Sequence, residues 1–399
     1  MWWRSGLHQL RWVALGVASG ALAGLASYLF LTVLDHVTET RLDHPWLVWL
    51  LPLGAGVIGV VYHRWGGRSA GGNALLLDEI HEPTAWVPRR MAPLIFVSTL
   101  AAHLFGASVG REGSALQMSG SLTDGLARVL RLRPSERRLL LIAALAGGFS
   151  SVFGVPLAGA VFALEVQAIG RVRYEALVPA LSAAITGDLV VRGLGYHHTL
   201  TPMLHLDVDA TLVAKVALAG LAFGLTASAL TALSHAIGTI TSRRIGWPPA
   251  RLVLGGAATV ALVALVGRDY LGLSLPLIND ALGGHDPGAD AFALKLLFTA
   301  IALGCAIPGG EVTPLFVMGA TLGASLAGPL HVQVAVLAAV GFVAVFGAAA
   351  NTPLACTIMG VELFGSDTVV LMAVGCVVAY VCSSHRGIYG TQRIDTAKR

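Results

Sequence analysis

The chain has 399 residues, of which 55% are hydrophobic and only 12% charged, with a formal net charge of +4 and a mean hydropathy of +0.75. Soluble domains carry roughly 25% charged residues, so this charge content cannot cover the surface of a folded chain in water. A soluble globular protein is excluded, as are a disordered chain and a collagen-like repeat, and the bilayer becomes the solvent. The basic balance fits arginines gathered on the cytoplasmic side of a membrane protein, and no basic run carries the interleaved aromatics of nucleic-acid binding.

The first apolar stretch, 13–34, is long enough to span and reads as a membrane helix, not a cleavable signal. It carries Gly16, Gly20 and Gly24, a spacing that serves either close packing on a neighbouring helix or dimerisation. Further apolar segments follow at 46–61, 91–105, 114–130, 139–153, 157–166 and 177–191. A second series occupies 212–237, 252–266, 291–307, 315–326, 332–349, 354–364 and 369–381. Several fall short of the roughly 20 residues needed to cross the hydrocarbon. Short segments interrupted by Gly and Pro predict broken helices, which are tolerated where they line a cavity. Cys305, Cys356, Cys376 and Cys382 lie in apolar stretches without C-x-x-C spacing and read as buried free thiols.

Between the second and third segments, Gly71-Gly72-Asn73 precedes Asp78-Glu79-Ile80-His81-Glu82. The glycines allow close backbone approach and the Asn73 amide offers N–H donors. The acidic cluster lacks H-E-x-x-H spacing, so a capped loop is favoured over a metal site. A membrane metalloenzyme built on Asp78, Glu79, His81 and Glu82, marked by chelator-sensitive activity, is the competing reading from another class.

The two series are related. LAGLASYL around Gly24 matches LAGLAFGL around Gly220; GRE at Glu112 matches GGE at Glu311; PLAGAVFALE ending at Glu165 matches PLACTIMGVE ending at Glu362. Three matches in one order at a nearly constant offset make a duplicated membrane domain. Arg128, Arg131, Arg133, Arg137 and Arg138 crowd one loop of the first half, whereas no Lys or Arg occurs between Lys295 and Arg386. By the positive-inside rule the first loop is cytoplasmic and its counterpart faces the other side. The expected architecture is therefore all-α: one transmembrane domain over 1–399, made of two inverted-topology repeats, 10–205 and 206–385, with an ion site at their interface. Arg243, Arg244 and Arg251 would be cytoplasmic, as would a short tail, 386–399, with Arg386, Arg393, Lys398 and Arg399. No soluble regulatory domain is expected.

Glu112 is the most informative residue. Gly106-Ala107-Ser108-Val109-Gly110-Arg111-Glu112-Gly113-Ser114 places a carboxylate and free backbone N–H groups at a helix N-terminus inside the membrane. Such an end attracts anions, and an ionisable residue at that depth is functional by default. Gly309-Gly310-Glu311-Val312-Thr313-Pro314 repeats the arrangement. Two helix N-termini from inverted halves then meet near the midplane around an anion. Thr313 either offers its hydroxyl to that ion or caps its own helix. Glu165 and Glu362 either tie the halves together by buried hydrogen bonds or belong to a proton route, with structure preferred. His103 reads as a hydrogen-bonded core histidine or a proton relay.

The order GREG, GFSSVFGVPLAGAVFALE, GGEVTPLF and NTPLACTIMGVELFG resembles the CLC superfamily of chloride channels and anion/proton antiporters, over nearly the whole chain and in both halves. Within it the chain resembles the fluoride/proton antiporter branch: Asn73 stands where the chloride branch has serine, GREGS replaces GREGP, and GGEVTP brings in Glu311 and Thr313. The resemblance implies Glu112 as the gating and proton-coupling glutamate. It implies Tyr389, in the segment 383–389, as the inward-facing anion-binding tyrosine, with Asn73, Gly110, Arg111, Gly113, Glu311, Val312 and Thr313 completing the anion site. It also implies a transporter and not an enzyme, without cofactor, working as a homodimer in the plasma (inner) membrane of a bacterium, with fluoride and protons as its cargo. The inner proton-transfer glutamate of chloride antiporters is missing, since Arg192 is followed by Gly-Leu-Gly-Tyr-His-His. Fluoride is small and strongly hydrated, so several strong N–H and O–H donors must replace its water. Glu112 as a carboxylate competes for those donors and, once protonated, yields them. Glu311 is expected to be protonated or hydrogen-bonded. A chloride/proton antiporter or a passive anion channel of the same fold is the runner-up.

Overall fold

The computed structural model describes residues 2–199 and 201–398, with side chains from residue 7; Arg399 lies outside the described residues. Sixteen α-helices run in two series of eight. The first comprises α1 (Trp2–Asp43), α2 (Leu51–Val61), α3 (Gly72–His81), α4 (Met91–Leu104), α5 (Glu112–Val129), α6 (Pro134–Phe153), α7 (Pro156–Glu165) and α8 (Leu177–Gly193). The second comprises α9 (Ala210–Arg244), α10 (Pro248–Val266), α11 (Leu275–Leu282), α12 (Ala291–Gly304), α13 (Val312–Leu330), α14 (Val334–Ala350), α15 (Pro353–Phe364) and α16 (Val369–Cys382). Every apolar segment of the sequence becomes a helix. Local chemistry sets the ends: Pro134, Pro156, Pro248 and Pro353 start helices where a missing N–H costs nothing. Gly154 and Asn351 end α6 and α14 in the left-handed conformation, at φ 72° and 58°.

Two helices fall outside the apolar segments. α3 occupies the stretch expected as a capped loop; Leu75, Leu76, Leu77 and Ile80 are buried along it, and that apolar face overrides the polar residues around it. Asp78 to His81 consequently sit at a helix end, not a helix start. α11 is short, opens at Pro276 and buries Ile278, Ala281 and Leu282. Cys305, Cys356 and Cys376 are buried as expected, but Cys382 is exposed at the last position of α16.

The glycines of α1 pack on α8. A Cβ on Gly16 would stand 2.6 Å from the Pro179 carbonyl and one on Gly24 2.7 Å from that of Gly187, while Gly20 abuts the Ala183 carbonyl. The partners advance along both helices together, so α1 and α8 run parallel, and the stripe serves packing within the chain, not dimerisation. Gly220 and Gly224 of α9 face Val378 and Ala379 of α16 in the same manner.

Reciprocal contacts show how the two series are related. The Glu165 carboxylate at the end of α7 accepts the N–H groups of Leu354 (3.1 Å) and Ala355 (2.9 Å) at the start of α15. Glu362 at the end of α15 accepts those of Leu157 (2.9 Å) and Ala158 (2.8 Å) at the start of α7. Each glutamate satisfies the orphan donors and positive end of the other helix, which requires α7 and α15 to be antiparallel and the series to be related by a pseudo-two-fold axis. The pair is thus structural. Phe149, Phe162, Phe316 and Phe346 fill the core near this axis, with Phe149 and Phe162 stacked at 4.3 Å.

The C-terminal segment, expected as a tail, is built into this core. Ile388 N–H donates to Ala349 O (2.9 Å) and Gln392 Nε2 to Val166 O (2.8 Å) and Ala350 O (3.0 Å). Two short strands, β1 (Ala168–Ile169) and β2 (Arg393–Ile394), pair in parallel and tie the C-terminus to the first series. The expected outcome of Gly20→Leu is a loss of about 1–3 kcal/mol of stability from overpacking against α8, read as a lower thermal midpoint in detergent.

Candidate functional site

The loops before α5 and α13 meet at the centre. Gly110 and Gly310 exchange two backbone hydrogen bonds, of 2.5 and 2.7 Å, in an antiparallel bridge. A Cβ on Gly310 would stand 2.8 Å from Gly113 N and 3.1 Å from Glu112 N, so only glycine lets the two helix N-termini approach this closely. The bridge also corrects one expectation: the Gly110 N–H is committed to Gly310 O and is not a free donor for an ion.

Glu112 is fully buried and its carboxylate curls back over the start of α5. Oε2 accepts the N–H groups of Arg111 and Thr313, both at 3.1 Å, and Oε1 accepts the Thr313 hydroxyl. The Arg111 guanidinium lies 3.8 Å away. Donors from both helix series therefore converge on the protein's own carboxylate. Thr313 directs its hydroxyl at the Glu112 carboxylate, and α13 has no side-chain cap.

The remaining predicted residues surround that point. Gly113 lies against Asn73: a Cβ on Gly113 would meet Asn73 Nδ2 at 3.0 Å and Glu311 Oε2 at 3.5 Å. Asn73, carried by the first turn of α3, has its Oδ1 buried without a partner. Val312 opens α13 and is buried in the apolar core. Glu311 immediately precedes α13, with Oε2 facing Gly113. The Tyr389 ring lies edge-on to Phe162 at 6.4 Å, its hydroxyl buried without a partner. His103 is buried beside Gly110 with Nε2 unpartnered.

Two cavities approach the pocket. One, of about 520 Å³, is lined by Arg111, Thr313, Phe153, Phe316 and residues of the loop after α8, including His198 and Thr201. Burial first, and the Arg111 charge second, push the His198 imidazole down to about 4, so this mouth is lined by a neutral histidine at neutral pH. The other cavity, of about 370 Å³, is lined by Glu311, Ile388 and the C-terminal half of α9, including Ser234 and His235. The 194–209 loop joins the end of α8 to the start of α9, so the far half of α9 belongs to the opposite face. Arg111 and Thr313 line the one cavity and Glu311 the other.

The acidic cluster of α3 does other work. Glu79 is held by Arg68 (2.5 Å) and Arg137 (3.0 Å) and accepts from Thr84 and Ala85 N–H. Arg137 also binds Asp124 at 2.5 Å and lies over the Trp86 ring. His81 pairs with Gln167 O at 2.8 Å and Glu82 with Arg393 at 2.5 Å. These side chains point to separate partners, and among the described residues no group of three or more acidic, His or Cys side chains gathers for a metal. Arg137, counted among the loop arginines, is buried. Two further buried cations, Arg41 and Lys295, escaped the sequence reading; a single lysine within the 291–307 segment was the available signal.

A family model described as "Voltage gated chloride channel" matches residues 54–384. The "Chloride/fluoride channel protein" of Pseudomonas syringae pv. tomato is 45% identical over 396 residues, covering 97% of this chain and 87% of that one. Among solved structures, a CLC-type fluoride/proton antiporter superposes with a TM-score of 0.94 at 31% identity, covering 97% of this chain and 98% of the other. A slow cyanobacterial Cl⁻/H⁺ antiporter shares the fold with a TM-score of 0.83 at 16% identity, covering 94% of each chain.

Arg137→Met leaves Glu79 and Asp124 buried without their shared cation. The expected cost is about 3–5 kcal/mol, measured as a fall in unfolding midpoint with loss of extractable, folded protein.

Proposed function

The chain belongs to the voltage-gated chloride channel family, and we propose that it is a fluoride/proton antiporter, exporting fluoride from a bacterial cytoplasm across the plasma membrane in exchange for protons. One observation carries this reading: a protonatable carboxylate, Glu112, occupies the donors that both repeats direct at the centre. A permanent pore has no use for a plug on its anion donors, whereas an exchanger needs one side chain that either ion can displace. Likeness to proteins named for fluoride supports the choice of anion.

Charged Glu112 holds the Arg111 and Thr313 N–H groups and the Thr313 hydroxyl. When a proton reaches it, its oxygens lose most of their attraction for those donors, the side chain swings away, and an anion takes its place. Fluoride must leave its water, and the replacement donors are the freed N–H groups, the Thr313 hydroxyl, the Asn73 amide beside Gly113 and the Tyr389 hydroxyl. Glu311 stands at the entrance to the other cavity. Because Glu112 accepts one proton or gives way to one anion, the two fluxes are coupled through a single side chain. We place the inverted repeats at 10–205 and 206–385 and assign a homodimer whose subunits each hold their own pathway within the lipid bilayer.

In proteoliposomes, Glu112→Gln is expected to abolish proton-coupled fluoride movement, measured with a fluoride electrode alongside a pH probe; coupled flux equal to the wild type sinks the mechanism. Asn73→Ser removes the amide donor beside Gly113. The ratio of fluoride to chloride efflux should fall roughly tenfold, the worth of one hydrogen bond at about 1.4 kcal/mol, and an unchanged ratio removes Asn73 from the selectivity site.

A further inference from the structure

Arg41 and Lys295 are buried basic side chains brought together outside the Glu112 pocket. Lys295 of α12 is fully buried, and its Nζ donates to Tyr270 O (3.1 Å), Gly272 O (2.7 Å) and Ser274 Oγ (2.9 Å), all neutral oxygens. Arg41, near the end of α1, is only 9% exposed. Its Nε is enclosed without a partner, and it lines a cavity of about 400 Å³. The two cations share one glycine: a Cβ on Gly272 would stand 3.2 Å from Arg41 Nη2, while the Gly272 carbonyl binds Lys295.

The surroundings supply no counter-charge at contact distance. Among the described residues neither Arg41 nor Lys295 makes an ion pair within 4.0 Å. Asp35 and Asp269 line the same cavity, as does Arg268. A guanidinium cannot shed its proton, and a buried charge is retained where something pairs with it. Ser274 holds the left-handed conformation at φ 54°, a backbone state that a non-glycine residue adopts where the surroundings enforce it. That conformation presents its hydroxyl to Lys295.

We propose that this cavity is a second anion site, in which a small monovalent inorganic anion binds the buried Arg41 guanidinium, with Gly272 and the Lys295 amine it holds packed behind. The site stands independently of which anion crosses at Glu112.

Crystals of the full chain grown in bromide test this by anomalous diffraction. A bromide peak on the Arg41 guanidinium is the expected result. Absence of that peak in crystals of Glu112→Gln whose vacated central pocket does take bromide overturns the proposal. In detergent, bromide should raise the thermal midpoint saturably in Glu112→Gln, and the added Arg41→Gln should reduce that increment by at least half. An undiminished increment overturns the assignment. If the Arg41 variant fails to fold, the diffraction result decides alone.

Discussion

The two-bond bridge between Gly110 and Gly310 is the constraint around which this protein is organised. It pins the N-termini of α5 and α13 together on the pseudo-two-fold axis, inside a medium that offers no water to satisfy their N–H groups. Bringing two positive helix ends into contact is unfavourable unless negative charge lies between them. Glu112 supplies it, its carboxylate accepting donors from both loops. On the proposed mechanism an anion takes the place of that carboxylate once it is protonated.

The same chemistry recurs wherever an acid lies deep in the chain, with different consequences. Glu165 and Glu362 each accept two N–H groups from the helix start of the opposite repeat, and each satisfied pair locks α7 to α15. Glu112 instead accepts from its own loop as well as from Thr313 across the axis. Arg111 and Thr313, which supply its donors, line a cavity of about 520 Å³, whereas the Glu165 and Glu362 donors are the first turns of α15 and α7. Position relative to a cavity, not residue type, distinguishes Glu112 from the two struts.

Glycine performs two jobs that composition alone lumps together. Along α1 and α9 it lets helices lie backbone against carbonyl, where packing takes the place of the hydrophobic effect that lipid cannot provide. At Gly310 it makes room for two helix starts in one place. The C-terminal segment then closes the arrangement from one side: Gln392 binds carbonyls at the ends of α7 and α14, which holds Tyr389 against Phe162 in the core.

Much of this was legible from the residues. Apolar runs bounded by Pro and Gly determined nearly all the helices, because in lipid a buried backbone has few alternatives to helix. The matched motifs around Glu112 and Glu311, and around Glu165 and Glu362, determined that the halves are duplicated and that helix starts would meet. Only the tertiary structure decided the rest, since each point turns on partners far apart in the chain: that the Gly110 N–H is spent on Gly310, that α3 is a helix because its leucines are covered, and that Arg137 is an interior clamp. The buried cations Arg41 and Lys295 belong with these, brought to either side of Gly272 by helices some 250 residues apart in sequence, roughly the span from α1 to α12. Periodicity and motif report what a segment is; which donor faces which acceptor is set by how the segments pack.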